Sequence, residues 1–166
     1  GISKISAGAT LADGAAVVTA LRAGVNKMDE DEVDPNNRYL FITPTLYGMI
    51  RDLDTTKSKE VLETFAGIIK VPQSRFYTAI DQYDGTTSSE EAGGYGKDPT
   101  NGCDINFMII EKSAVIQFEK HVAPKIITPE QNQSADAYKF GYRNVGIADV
   151  YENKVAGIYL HHKAKA

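Results

Sequence analysis

Apolar positions change their spacing several times along the chain, and each change marks an element. Leu11, Ala15, Val18, Leu21, Val25 and Met28 recur at three and four residues, one apolar stripe on a helix of about five turns. Thr10 with Asp13 three residues on predicts a capping-box-like start, and Asp34-Pro35 predicts the stop. Gly14 and Gly24 each lower intrinsic helix preference by up to about 1 kcal/mol relative to Ala, so packing must hold this helix in place. Arg38 to Thr43 is aromatic and branched, which predicts a buried strand. It runs into Thr43-Pro44, a cap followed by proline at the first helical position, and Leu46, Met49, Ile50 and Leu53 then define a short amphipathic helix. Ser58 is expected to cap a weaker helical piece from Glu60 to Phe65.

Further on, Gly67 to Pro72 and Tyr77 to Ile80 predict a pair of strands. From Asp81 to Gly102 the chain is rich in Gly, Ser, Thr and Asp, too long for an ordinary turn and read as a loop. Ile105 to Ile110 predicts a central strand, Ser113 to Phe118 a short helix, and Pro124 to Pro129 a short strand between prolines. Residues Ala137 to Arg143 alternate, with Tyr138, Phe140 and Tyr142 on one face and Lys139, Gly141 and Arg143 on the other, the period of a half-buried strand. A polar turn at Glu152-Asn153-Lys154 and the apolar run Val155 to Leu160 predict its returning partner. Two strands alone are marginal in water, so this ribbon is expected to lie along the first helix.

Composition narrows the function classes. The chain has 166 residues, 42% hydrophobic and 24% charged, enough for one domain with a core, or a domain plus an extension. Nine Tyr, six Phe and no Trp suit half-exposed faces and subunit contacts as well as a core. A net charge of −4 argues against a dedicated nucleic-acid binder. The single Cys103 forms no internal disulfide, so a reducing compartment is the simpler expectation. No run reaches the ~20 apolar residues of a membrane span, and no membrane partner is expected. The first residue is Gly1, which fits a fragment or a processed product.

Chemical motifs fail on inspection. Gly96-Lys97 lacks the earlier glycine of a phosphate loop, Glu91 standing there; Asp98 replaces the required Ser or Thr, and Pro99 takes the last glycine of a dinucleotide fingerprint. Tyr83 stands where a calcium loop needs an oxygen ligand. His161 and His162 point to opposite faces of a strand and His121 is remote in sequence, so zinc is not expected. No nucleophile elbow is present, and Asn132-Gln133-Ser134 has no meaning without secretion. Neither a catalytic residue nor a cofactor or metal is expected. Asp29, Glu30, Asp31 and Glu32 crowd a helix C-terminus against its dipole; they are candidates for a solvated end or a docking point for Lys or Arg of a neighbouring molecule.

The run HVAPKIITPEQNQSADAYKFGYRNVGIADVYENKVAGIYLHH, with RYLFITPTLYGMIRDL and GIIKVPQSRFY before it, resembles major capsid proteins of tailed double-stranded DNA phages, the Hong Kong 97-type coat fold. The order of elements over essentially the whole chain carries the resemblance. It implies an α+β fold: a spine helix over residues 1–37, an axial mixed sheet and helix domain over 38–135, and a closing β-ribbon over 136–166 that forms a peripheral domain with the spine helix. The family's N-terminal arm and extended hairpin loop lie outside this stretch, so no cross-linking residue is carried over, and this fragment alone is open to being monomeric. The implied work is self-assembly with identical subunits, as hexamers and pentamers in the full-length protein, around non-specifically held packaged DNA, in a virion made in a bacterial cytoplasm. Candidate subunit contacts are Asp29, Glu30, Asp31 and Glu32 against Lys139 and Arg143. Glu90, Glu91, Tyr95 and Lys97 are candidates for an axial loop. Two alternatives stand beside this reading: an encapsulin-type nanocompartment shell, and a small hydrolase or ligand-binding domain with residues 81–102 as its lid.

Overall fold

The computed structural model describes residues 4–5, for their backbone, and 8–164. Nine strands and three α-helices occur among them. Strand β1 (Lys4–Ile5) precedes helix α1 (Gly14–Glu30), β2 (Arg38–Ile42), α2 (Pro44–Leu53), α3 (Thr56–Glu63) and β3 (Gly67–Lys70). Then come β4 (Ile80–Tyr83), β5 (Gly94–Lys97), β6 (Ile105–Glu111), β7 (Val115–Ile127), β8 (Lys139–Val150) and β9 (Ile158–His162). Contacts divide the chain into two compact units, Gly1–Ala114 with Glu152–Ala166, and Val115–Tyr151.

In the first unit a five-stranded sheet is ordered β1-β9-β6-β2-β3, with β6 central as its apolar run predicts. Helices α1, α2 and α3 cover one face, where Val17, Val18, Leu21 and Met28 meet Leu40, Ile42, Ile50, Val61, Phe107 and Ile109. Each fully buried apolar side chain of this kind contributes about 1.5–3 kcal/mol. On the opposite face Phe76, Ile105 and Leu160 form a smaller cluster with Phe41, Val71 and Met108. The two glycines that weaken α1 locally are there for close approach. A Cβ on Gly14 would lie 2.3 Å from the Met49 carbonyl oxygen, and one on Gly24 2.9 Å from the Tyr159 ring.

Several local expectations are corrected. Helix α1 begins one turn later than Thr10 suggests: Asp13 is the cap, and its carboxylate accepts from the Ala16 N–H at 2.8 Å. Ser58 does not precede a helix but sits inside α3, closing a capping box with Thr55. Tyr77 to Ile80 does not pair with β3, which runs parallel to β2. The supposed loop from Asp81 to Gly102 contains a hairpin, β4 against β5. Ser113 to Phe118 is a 3-10 turn leading directly into β7. The returning partner of β8 is β7, whereas the final apolar run supplies β9, antiparallel to β6 and parallel to β1.

A β-bulge at Asn106, where Ile105 faces His162 and Phe107 faces His161, turns the Asn106 side chain toward His161. Its amide nitrogen lies 3.0 Å from the Ala9 carbonyl oxygen and 3.1 Å from His161 Nδ1. A carbonyl only accepts, so this nitrogen donates to both, and His161 carries its proton on Nε2. The ring is buried and stacks on Phe107 with centroids 5.0 Å apart. Burial, and then the neighbouring His162, lower its pKa.

Candidate assembly surfaces

Helix α1 ends on the acidic run, and its charges divide between internal and external work. Arg38 opens an apolar strand and is fully buried, so its guanidinium must find partners nearby. It reaches Asp29 Oδ1 at 2.6 Å, the Asp34 carbonyl at 3.2 Å, and the Val33 carbonyl. Asp29 is therefore engaged within the chain. Lys27 approaches Asp31 at 3.7 Å and Glu30 at 3.9 Å. Glu30 and Glu32 are exposed, and Glu32 turns the chain in the left-handed region at φ 56°. These two project the most free negative charge from the helix end.

The β4–β5 hairpin carries the second candidate group. Asp84 organises its tip, accepting from Thr87 Oγ1 at 2.5 Å and from the Thr86 and Thr87 backbone N–H groups at 2.7 Å. Those hydrogen bonds, the Thr87 hydroxyl foremost, hold its pKa far below the usual carboxylate range. Glu90 accepts from the Asp84 N–H at 3.4 Å, Glu91 is exposed, and Tyr95 on β5 faces solvent opposite Gln82. Lys97 turns back to the body of the unit, where it meets Asp104 at 3.0 Å; Lys163 meets the same carboxylate at 3.3 Å. Burial raises the Asp104 carboxyl, but the two ammonium groups together bring its pKa below the ordinary value.

Strands β7 and β8 build the second unit, and nearly every side chain on them is exposed. Directly opposed residues of an antiparallel pair share a face. Beyond the bulge, Ile126 with Phe140 and Pro124 with Tyr142 form one face, next to Val122, while Lys125, Lys139 and Arg143 occupy the other. Tyr138 and Phe140 stack with centroids 6.3 Å apart, on the face that the alternation predicts. Between Glu119 and His121 the register shifts, and a bulge re-aims the side chains that follow it. On the near side of the shift, Phe118 pairs with Ile147 and Ile116 with Asp149, on the face that Lys139 and Arg143 occupy farther out. The ribbon thus carries an apolar patch on each face, at different heights. Phe140 is 74% exposed, Tyr142 70%, Phe118 61% and Ile147 56%. Apolar surface of this density on so thin an element is unusual in a monomer.

The sequence reading singled out Lys139 and Arg143 but missed Phe118, Val122, Ile126 and Ile147. Strict alternation through β7 would have disclosed the first three, and Lys120 at the bulge breaks it. Among the described residues no group of three or more His, Cys, Asp or Glu is placed to hold a metal ion, and no helix is long and apolar enough to cross a membrane.

No family model matches the chain, and no curated protein matches it. Solved structures do. A chain described as "Mycobacterium phage Che8" superposes with a TM-score of 0.58 at 10% identity, over 96% of this chain and 53% of that one. A chain of the "Capsid structure of the Cyanophage P-SCSP1u" gives 0.57 at 16% identity, over 98% of this chain and 52% of that one. This chain therefore spans about half the length of the solved chains it matches. What it shares with them is the fold: a mixed α and β architecture of the kind found in tailed-phage capsid proteins.

Proposed function

We propose that this chain is shell-forming material of a phage head, a Hong Kong 97-type coat subunit that works by repeated contact with identical copies and performs no chemistry. The observation that carries the reading is the ribbon of Val115–Tyr151, whose two apolar patches are attached to a unit with the fold of capsid chains. A surface of that kind is stable in water only when covered. Assembly interfaces bury on the order of 2,000 Å² or more, and a ribbon exposing both faces offers area to two neighbours at once. Closed rings of subunits need two different patches on each copy that match head to tail.

In this reading helix α1 and the ribbon serve the peripheral contacts, and the β4–β5 hairpin with Glu90, Glu91, Tyr95 and Lys97 lies toward a capsomer axis. Glu30 and Glu32 supply negative charge, and Lys139 and Arg143 positive charge, to complementary edges. Packaged DNA meets such a shell through sequence-independent charge. Electron microscopy of the full-length gene product expressed alone tests the proposal. Closed shells or capsomers that disappear on Glu30→Lys or Arg143→Glu, with the fold kept, support it. A soluble monomer under all conditions sinks it, and shells filled with a protein cargo point to a nanocompartment instead.

A further inference from the structure

Beyond its bulge the ribbon keeps its two faces chemically apart. One face carries Val122, Pro124 and Ile126 from β7 with Tyr138, Phe140 and Tyr142 from the β8 side, and Asn144 lies at its polar end opposite Val122. None of these side chains is charged. The other face carries Lys125, Lys139 and Arg143, three cations that oppose any approach of a like surface. The uncharged face is large. Its three rings, with Val122 and Ile126, are 45–74% exposed, and side chains of this size at those fractions present about 600 Å² together, the upper end of what a monomer leaves open. Two such faces brought together remove about 1,200 Å² from water, the lower bound for a specific interface. The acidic end of α1 finds no charge to meet here, so the complement of this face is another uncharged face. Ribbons of one twist pack face to face within about 30° of each other, a condition that two copies of one chain meet automatically. Tyr138 and Phe140 already stack, so little ring motion is lost on contact.

We infer that this apolar face meets the same face of a second copy about a two-fold axis, a ribbon-on-ribbon contact separate from the head-to-tail contacts of a ring. The basic face, which repels itself, is left for an acidic neighbour. The inference rests on the shell reading and names, within it, the partner of the apolar face.

Sedimentation equilibrium of the 166-residue chain between about 10 μM and about 1 mM, the range in which a minimal interface dissociates, tests it. A reversible monomer–dimer equilibrium is expected. Phe140→Ser weakens it at least about thirtyfold, because a two-fold contact loses the ring from both copies. Phe118→Ser, on the other face, leaves it unchanged. Phe140→Lys and Phe140→Glu are each expected to be monomeric through like-charge repulsion, and their equimolar mixture to associate again. Only a face that meets itself gives that recovery. A chain still monomeric at the top of the range, a dimer indifferent to Phe140→Ser, an equal loss in Phe118→Ser, or a mixture that stays monomeric would each overturn the inference. The shell reading fails separately: a full-length protein that builds no shells while this dimer persists sinks that reading and leaves the ribbon contact standing.

Discussion

Replacing Asp29 with Asn removes a carboxylate that pairs with the fully buried guanidinium of Arg38. Arg38 then keeps two backbone carbonyls and the more distant pull of Asp34, but its charge loses the carboxylate it meets at 2.6 Å. Breaking an ion pair buried on both sides costs about 3–5 kcal/mol, and an exposed pair is worth at most about 1. Here Arg38 is 0% exposed and Asp29 53%, so the loss belongs between the two, about 2 kcal/mol. A smaller effect opposes it. Asp29 stands in the last turn of α1, where removing a negative charge relieves the helix dipole by about 0.5 kcal/mol. The net expectation is a destabilisation of about 1.5 kcal/mol, read in urea as a midpoint lowered by about 0.5–1 M at unchanged slope. Glu30→Gln is the control: it relieves the same dipole and gives up only an exposed pair with Lys27 at 3.9 Å, so its midpoint should stay level or rise. Arg38→Met in the Asp29→Asn background should recover most of the loss, because a buried charge that has lost its paired carboxylate is then replaced by an apolar side chain. An Asp29→Asn midpoint equal to that of Glu30→Gln would refute the account of Arg38.

Other expectations follow from neighbouring features. Gly14→Ala should destabilise by about 2 kcal/mol or more despite the better helix preference of Ala, since the obstacle is the Met49 carbonyl and backbone yields little. Gly48→Ala in α2 meets nothing within 4 Å and should stabilise by up to about 1 kcal/mol, so thermal melts of the two should move in opposite directions. His161 has a pKa below the ordinary His value when folded; the unfolded chain binds the extra proton first. Its contribution is therefore complete above about pH 6.5 and falls as pH drops from there toward the folded value. Urea midpoints between about pH 5 and pH 7.5 should show that slope and should lose it in His161→Gln. Phe140→Ser, at a side chain 74% exposed, should change stability by less than about 0.5 kcal/mol while suppressing particle formation in the full-length protein. Light scattering and thermal melts separate the two effects.

Elements whose pattern reports burial were legible in the sequence. The stripe of Val18, Leu21 and Met28, the strand from Arg38, the Leu46 to Leu53 helix and the central strand from Ile105 all lie where their apolar spacing places them. Pairing partners were not legible. A period of two says which side chains share a face and nothing about which strand lies alongside, so Val155 to Leu160 reads equally well as a ribbon strand and as the sheet strand β9. The β7 strand was hidden by its bulge, which breaks the alternation at Lys120. In the Gly-rich stretch before it, β4 and β5 bury almost nothing and leave no hydrophobic signature. Of the candidate contact residues, the exposed charges could be read directly. Asp29 could not be told apart from Glu30, because the difference lies in Arg38, which belongs to the next element and is polar in a strand that otherwise reads as core.

The ribbon leaves and re-enters its parent unit at one place, and this makes the unit's independence testable. Strands β6 and β9 are adjacent and antiparallel, with Ile110 opposite Ile158, so the exit at Ala114 and the return at Glu152 fall beside each other. The junction is tied within the first unit. Lys154 Nζ donates to Ser113 Oγ at 2.9 Å, the Ser113 hydroxyl donates to Glu111 at 2.6 Å, and a Cβ on Gly157 would come within 2.9 Å of the Ala114 Cβ, so only Gly fits there. Both apolar clusters of the sheet are built from residues of the first unit. Substituting a flexible connection about one sixth as long for that segment should therefore leave the five-stranded sheet intact. Shorter loop closure should even raise its stability by about 1.5 kcal/mol. Amide hydrogen exchange reads the result: β2, β6 and β9 protected as in the full chain, or more so, is the expected pattern. Loss of protection in β9 would mean that the ribbon is part of what folds the sheet, and would remove the argument that its exposed patches are free to be selected for assembly alone.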